Sequence, residues 1–358
     1  NYADGVNKEM SLHYQSFVME AYGLLMLEMK HNHIKIPQIW EKYLLHMSEF
    51  MCDCCGEYGE TVVFGDNDEG KILDLSGEHF DHYRYVLDLM GSVLPKRYSK
   101  MENIHENLCW ILSDDFQNSV LKKNCYYSPE VKCYKEGGYT LWRSKNNKIL
   151  IGIDHADLGF GSLAAHGHAD ALSFQMFIEG TPVFVDPGTY NYHVPKKTRD
   201  EFRATKNHNT VCVDNQNQAE ILGPFLWGKR YKISNVEFDN ESEKKCIMTA
   251  ELQNSSYVHR RKFAYNKANQ LIIEDVVQGG QDIHLALMCD FKAKIEVNQS
   301  VVTIRIGDKV VKINFDEASK IKEENVEYSD GYCTKKTSKR IYVKFKTNKM
   351  ITSIIYDK

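Results

Sequence analysis

Histidine and aspartate crowd into one part of this chain. The runs are His166-Gly167-His168-Ala169-Asp170, then Val185-Asp186-Pro187-Gly188, then His208-Asn209-Thr210. If the first run is extended, alternate residues share one face of a strand, and His166, His168 and Asp170 point the same way. Asp186 and His208 follow at the ends of two further strand-like runs. Imidazoles with a carboxylate are a ligand set that zinc accepts.

Two kinds of element must position these residues. Tyr14, Phe17, Val18, Ala21 and Leu25 recur at helical spacing. Trp40, Tyr43, Leu44, Met47 and Met51 repeat the pattern, with Pro37 suited to the first turn. Phe80, Tyr83, Leu87 and Met90 predict a third helix, and Ile104, Leu108, Ile111 and Leu112 a fourth. Gly65-Asp66-Asn67-Asp68-Glu69-Gly70 reads as a polar loop between helices. From about residue 126 the period becomes two, as in Val302–Ile306 and Ile341–Phe345. Glu179-Gly180 fits a hairpin turn between strand-like runs. The expected fold is α+β, with helices over 1–120 and an antiparallel β-sandwich over 121–358.

Composition narrows the function classes. With 358 residues, 42% of them hydrophobic, the chain can build two sizeable cores. A net charge of −4 gives no basic field for nucleic acid. No apolar run is long enough to predict a membrane span. The start, Asn1-Tyr2-Ala3-Asp4, suggests a processed or shortened chain. The ten cysteines are mostly isolated in apolar runs, as buried reduced thiols are. Cys52-Asp53-Cys54-Cys55 lacks the distant second pair of a zinc ribbon and reads as a helix end or loop with free thiols.

Several ordered segments resemble the heparinase II/III-like polysaccharide lyases. They are Gly161 to Phe174, Val185 to Tyr192, and Arg203 to Val211 with Gln218. Asp4 to Tyr14 and Gly65 to Gly70 extend the resemblance into the helical part. It implies part of an (α/α) toroid followed by an antiparallel β-sandwich. It also implies β-elimination at a uronic acid within an acidic polysaccharide. Tyr14 matches the family's acid, which in some members is also the base, although Gln15 stands where a histidine often follows. His166 matches the histidine that neutralises substrate or takes its proton. His168, Asp186 and His208 match a zinc site near the cleft, with His166 as an alternative fourth ligand. Asp170 then reads as an acceptor orienting a histidine. Tyr190, Tyr192, Arg199 and Arg203 are candidate sugar and carboxylate contacts. The family's Asn or His that neutralises the uronate lies on a helix upstream of the Tyr14 segment, before the first residue here.

Spacing alone favours reading Tyr14 as an apolar-face tyrosine, and the alternative for the metal cluster is two core histidines with a turn aspartate. A non-catalytic carbohydrate-binding or assembly protein and a zinc hydrolase are the competing classes. Isolated thiols favour a cytoplasmic setting; the family alternative is periplasmic or secreted.

Overall fold

Ser11 starts the first helix, α1 (Leu12–His31), by accepting a hydrogen bond from the Tyr14 backbone N–H. The same hydroxyl donates to Asp66 O at 2.6 Å, so the helix start is tied to the polar loop. The computed structural model that shows this describes residues 1–75, 81–99, 102–242, 245–266 and 269–356. Helix α2 (Gln38–Cys54) follows Pro37, and α3 (His82–Val93) is capped by Asp81. Phe80 lies outside the described residues.

Two expectations for the helices need correction. The pattern from Ile104 to Leu112 yields only α4 (Glu106–Cys109) and a turn, because Ser113 caps a new helix, α5 (Asp114–Leu121). Two acidic residues in the first turn favour that restart. Helix α1 also buries a different face from the one its apolar spacing marks. His13, Gln15, Ser16 and Glu20 are buried, while Phe17 and Leu25 are exposed. The polar stripe can be buried because it is hydrogen-bonded. Gln15 accepts from Asn7 N and donates to Met47 O; Glu20 accepts from Ile72 N and Leu73 N.

The strands form two large antiparallel sheets. The first runs Val131–Tyr134, Tyr139–Arg143, Ile149–Asp154, Phe174–Ile178, Thr181–Phe184, Ile283–Cys289, Lys336–Phe345 and Ala318–Tyr328. Val211–Val213 also pairs with Ile283–Cys289. The second runs Lys294–Asn298, Val301–Ile306, Lys309–Asp316, Lys349–Tyr356, Gln270–Gln278, Val258–Asn266, Lys245–Gln253 and Lys232–Ser242. The hairpin at Glu179-Gly180 is present, with positive φ at both residues, as a tight turn between right-twisted strands requires.

One apolar core joins residues of both sheets, including Phe174, Phe184, Phe263, Leu285 and Ile354. A second joins α1, α2 and α3 to the other face of the first sheet through Tyr139, Leu141, Leu150 and Phe177. Strand Ile149–Asp154 is therefore buried on both faces, which explains its continuous apolar run. Strand Val301–Ile306 keeps one face in solvent and alternates.

Candidate active site and metal centre

The run from Ser162 to Ser173 is not a strand; it is a looped segment of turns. Ala164 and Leu172 take positive φ, an uncommon conformation for such residues. Gly167 is required by close approach, since a Cβ there would meet Leu158 O at 1.7 Å. His166 and His168 therefore do not share a strand face. They diverge to two sides of one buried carboxylate, that of Asp66.

Asp66 is fully buried. Its Oδ1 lies 3.1 Å from His168 Nε2, and its Oδ2 lies 3.4 Å from His166 Nδ1 and 2.5 Å from Arg199 Nη2. Burial pushes this carboxyl upward, but the Arg199 guanidinium and the two imidazoles outweigh it and hold it well below the usual carboxylate range. Its backbone N–H donates to His166 O, pinning the two segments together.

On the open side, the Tyr14 and His166 rings stack with centroids 3.8 Å apart. Tyr14 Oη lies 3.2 Å from Tyr192 Oη and donates to Asp68 Oδ2 at 3.0 Å. Burial raises the Tyr14 phenol above its ordinary value; the Tyr192 hydroxyl opposes that rise and Asp68 adds to it. Burial and the nearby Asp66 raise Tyr192 as well. Phe225 packs edge-on against both His166 and Tyr192, and Tyr332 Oη accepts from Tyr192 N. With Asp66 on Nδ1, His166 keeps its Nε2 for chemistry; Glu9 is 3.9 Å from that atom.

On the closed side, one ligand atom each from His168, Asp170, Asp186 and His208 falls within 4.8 Å of the others, and all four residues are buried. His168 Nδ1 and His208 Nε2 are 3.3 Å apart, and Asp186 Oδ2 lies 3.9 and 3.3 Å from them. The remaining ring nitrogens are fixed from outside: His168 Nε2 by Asp66 and His208 Nδ1 by Ala204 O. Asp170 thus joins the group itself and does not stand behind a histidine. Burial pushes its carboxyl upward, offset only in part by His208 and His168. Two carboxylates and two imidazoles buried together fit a cation better than they fit each other.

The other expected contacts separate. Tyr192 lies against Tyr14 and Phe225. Tyr190 packs near Phe202 with Lys335 over its ring. Arg199 is buried under Tyr192 and Phe225 and committed to Asp66. Arg203 is fully buried, bonded to Asp200 and Gly223 O and stacked over Trp227, so it braces the cleft from beneath. Asp66, Asp68 and His13 were not among the expected site residues. The signal for the first two was present, an acidic cluster framed by Gly65 and Gly70.

All ten cysteines are free, and Cys55 caps α2, as the helix-end reading expects. No helix among the described residues is long and apolar enough to cross a membrane.

Residues 128–357 match the family model "Heparinase II/III-like, C-terminal", and the chain belongs to that family. Among solved structures it is similar to a heparinase III gene product, with 17% identity and a TM-score of 0.76 over all of this chain and 53% of that one. It is also similar to a heparan sulfate lyase from Pedobacter heparinus, with 16% identity and a TM-score of 0.73 over 99% of this chain and 53% of that one. The chain thus spans about half the length of these structures, and at such identities the likeness is one of fold. No curated protein matches the sequence significantly.

Proposed function

We propose that this chain carries the reacting residues of a polysaccharide lyase that cleaves a uronic-acid-containing polymer by β-elimination. Family membership and the fold support this reading. The observation that carries it is the Tyr14–His166 stack, with Tyr192 beside it and Asp66 behind. The helical layer is read as part of the (α/α) toroid, and residues 121–358 as the sandwich domain. Heparan-type glycosaminoglycans are the first substrates to try, since relatives of this fold are named for them.

In this mechanism His166 Nε2 takes the proton from C5 of the uronate. Tyr14 gives its phenol proton to O4, the C4–O4 bond breaks, and a C4–C5 double bond forms. The imidazolium then returns a proton to the phenolate, restoring both groups. A phenol held above its ordinary value is suited to the acid role and not to a resting base. Neutralising the uronate carboxylate needs a donor near C6. Arg199 Nε and Nη1 have no hydrogen-bond partner among the described residues, but reaching substrate requires Tyr192 and Phe225 to shift.

His168, Asp170, Asp186 and His208 would hold a zinc ion, which would clamp the 162–173 segment to the strands behind it. Four converging side chains leave no position reserved for a reacting water, which argues against the hydrolase alternative. Incubation with a panel of uronate polymers, read as ultraviolet absorbance of the unsaturated product, tests the proposal. Cleavage without that absorbance, or no cleavage of any of them, contradicts it.

A further inference from the structure

The face of Tyr14 turned away from His166 is as ordered as the face turned toward it. Asp68 Oδ2 accepts from Tyr14 Oη at 3.0 Å, and Asp68 Oδ1 lies 3.0 Å from His13 Nε2. Gly70 N donates to the same Oδ1 at 3.1 Å. His13 is buried in the first turn of α1, immediately before Tyr14. Behind it, Ser16 Oγ donates to His13 O and meets His82 Nδ1 at 3.2 Å, and His82 Nε2 meets Glu20 at 2.9 Å. Glu20 in turn accepts from Ile72 N and Leu73 N. The loop bearing Asp68 is thus fixed to α1 at both ends. A carboxylate needed only to close a turn would be satisfied by Gly70 and would not require a buried imidazole on one oxygen and a phenol on the other.

We propose that Asp68, locked by His13, is a positioning residue that fixes the Tyr14 hydroxyl as the proton donor of the elimination. This rests on the lyase reading given above. In the resting site the Tyr14 proton is held toward Asp68, so the phenol is intact when substrate arrives. After that proton has moved to O4, the phenolate stands beside a carboxylate. Repulsion between them favours return of the proton from the His166 imidazolium. Asp68 neither gains nor loses a proton in the cycle. The His13 imidazole beside it brings its carboxyl down to about 2, and so it stays charged throughout.

The groups facing Tyr14 are few. They are His13 on its own helix, Asp66 and Asp68 on the polar loop, His166 on the looped segment, and Tyr192 on the loop after Gly188. Arg199 lies over the Tyr192 ring, and Glu9 is 3.9 Å from His166 Nε2. His13 faces Asp68, His82 and Tyr14. Glu69 follows Asp68 in sequence, and Lys71 lies three residues beyond it. Of the two carboxylates near Tyr14, Asp66 is neutralised by Arg199, which leaves Asp68 as the charge the phenol senses most directly.

The test uses Asp68→Asn, which keeps the shape and removes the charge. Two readouts are combined. Without substrate, the Cζ shift of isotopically labelled tyrosine, assigned to Tyr14 by its loss in Tyr14→Phe, is followed against pH. We expect the Tyr14 ionisation constant to rise at least about tenfold in Asp68→Asn. With substrate, kcat should fall at least about tenfold while KM changes less than about twofold, and the alkaline limb of the rate profile should move to lower pH. His13→Gln retains a donor to Asp68 and should recover most of the turnover that His13→Ala loses. An unmoved Tyr14 titration in Asp68→Asn, or a rise in KM with kcat intact, overturns the assignment. A moved titration without unsaturated product from any wild-type incubation leaves the positioning pair standing and sinks the lyase reading instead.

Discussion

Two histidine-bearing clusters lie on either side of Asp66. On one side Tyr14 stacks on His166 with Tyr192 beside it, all three partly exposed; on the other His168, Asp170, Asp186 and His208 converge out of solvent. Both use imidazole and both are oriented by the same carboxylate, yet their surroundings differ. The open cluster has unequal partners on each ring nitrogen and a phenol in contact, which suits proton transfer. The closed cluster has every outer nitrogen tied and its inner atoms crowded, which suits holding a cation. Histidine alone does not separate the two roles; what each ring nitrogen faces, a phenol or a pair of carboxylates, does.

The sharpest way to break the comparison is at His166. His166→Ala should reduce turnover by at least the ~10²–10⁴-fold typical of a lost general base, while metal content measured by elemental analysis stays at the wild-type level. Loss of metal in this variant would move His166 into the closed cluster and erase the distinction. Asp66→Ala should damage both sides at once. It leaves Arg199 buried without its partner, and the expected cost is about 3–5 kcal/mol in urea unfolding. A stability within error of wild type would mean that the shared carboxylate holds nothing together.

Metal removal sharpens the closed side alone. At free metal of roughly 100 times its dissociation constant, a ligand of the native state contributes about 2.7 kcal/mol. Chelation should therefore lower the unfolding temperature of the wild type and leave that of His208→Ala unchanged. Equal responses to chelator would remove the metal centre from the account.

A pH-dependent effect of similar size is expected beside the closed cluster. Arg261 donates to Leu172 O and Asn209 O, bracing the two metal-bearing segments, and pairs with the buried Asp275. Burial alone would raise Asp275, but Arg261 and His259 bring it to about 2. Its folded value thus lies below its unfolded one, near ~3.9, so the unfolded chain takes up the proton first as pH falls. The stabilisation is fully present above about pH 4 and is lost as pH drops toward 2, about 2–3 kcal/mol in all. Urea unfolding across that window should fall less steeply in Asp275→Asn. An identical pH slope in the variant would show that the pair contributes nothing.

Much of this arrangement is legible in the sequence, but unevenly. The existence of α1, α2 and α3 and the hairpin at Glu179-Gly180 follow from spacing and turn chemistry. The residue types at His166, His168, Asp186 and His208 are visible at once. Their grouping is not, because the segment carrying two of them looks extended and folds as turns; its positive-φ residues are Ala164 and Leu172, which give no warning. Helix α1 misleads for the opposite reason. Its polar residues are the buried ones, satisfied by partners 32 to 66 positions away, as in Gln15 to Met47 O and Ser16 to His82. Arg199 and Arg203 look like surface ligands in sequence, yet both are sealed beneath aromatic rings. Asp66 and Asp68 pass for loop residues until the fold sets two histidines and a tyrosine against them.

Tyr14→Phe is the most direct test, since it deletes one oxygen from the open cluster and leaves the closed one intact. The measurement is the rate of unsaturated-product absorbance on a uronate polymer that the wild type cleaves, taken alongside metal content and unfolding temperature. The account predicts a fall in turnover of at least ~10²-fold with both controls unchanged. Wild-type turnover in Tyr14→Phe would contradict the assignment of Tyr14 as the acid, and with it the separation of the two clusters.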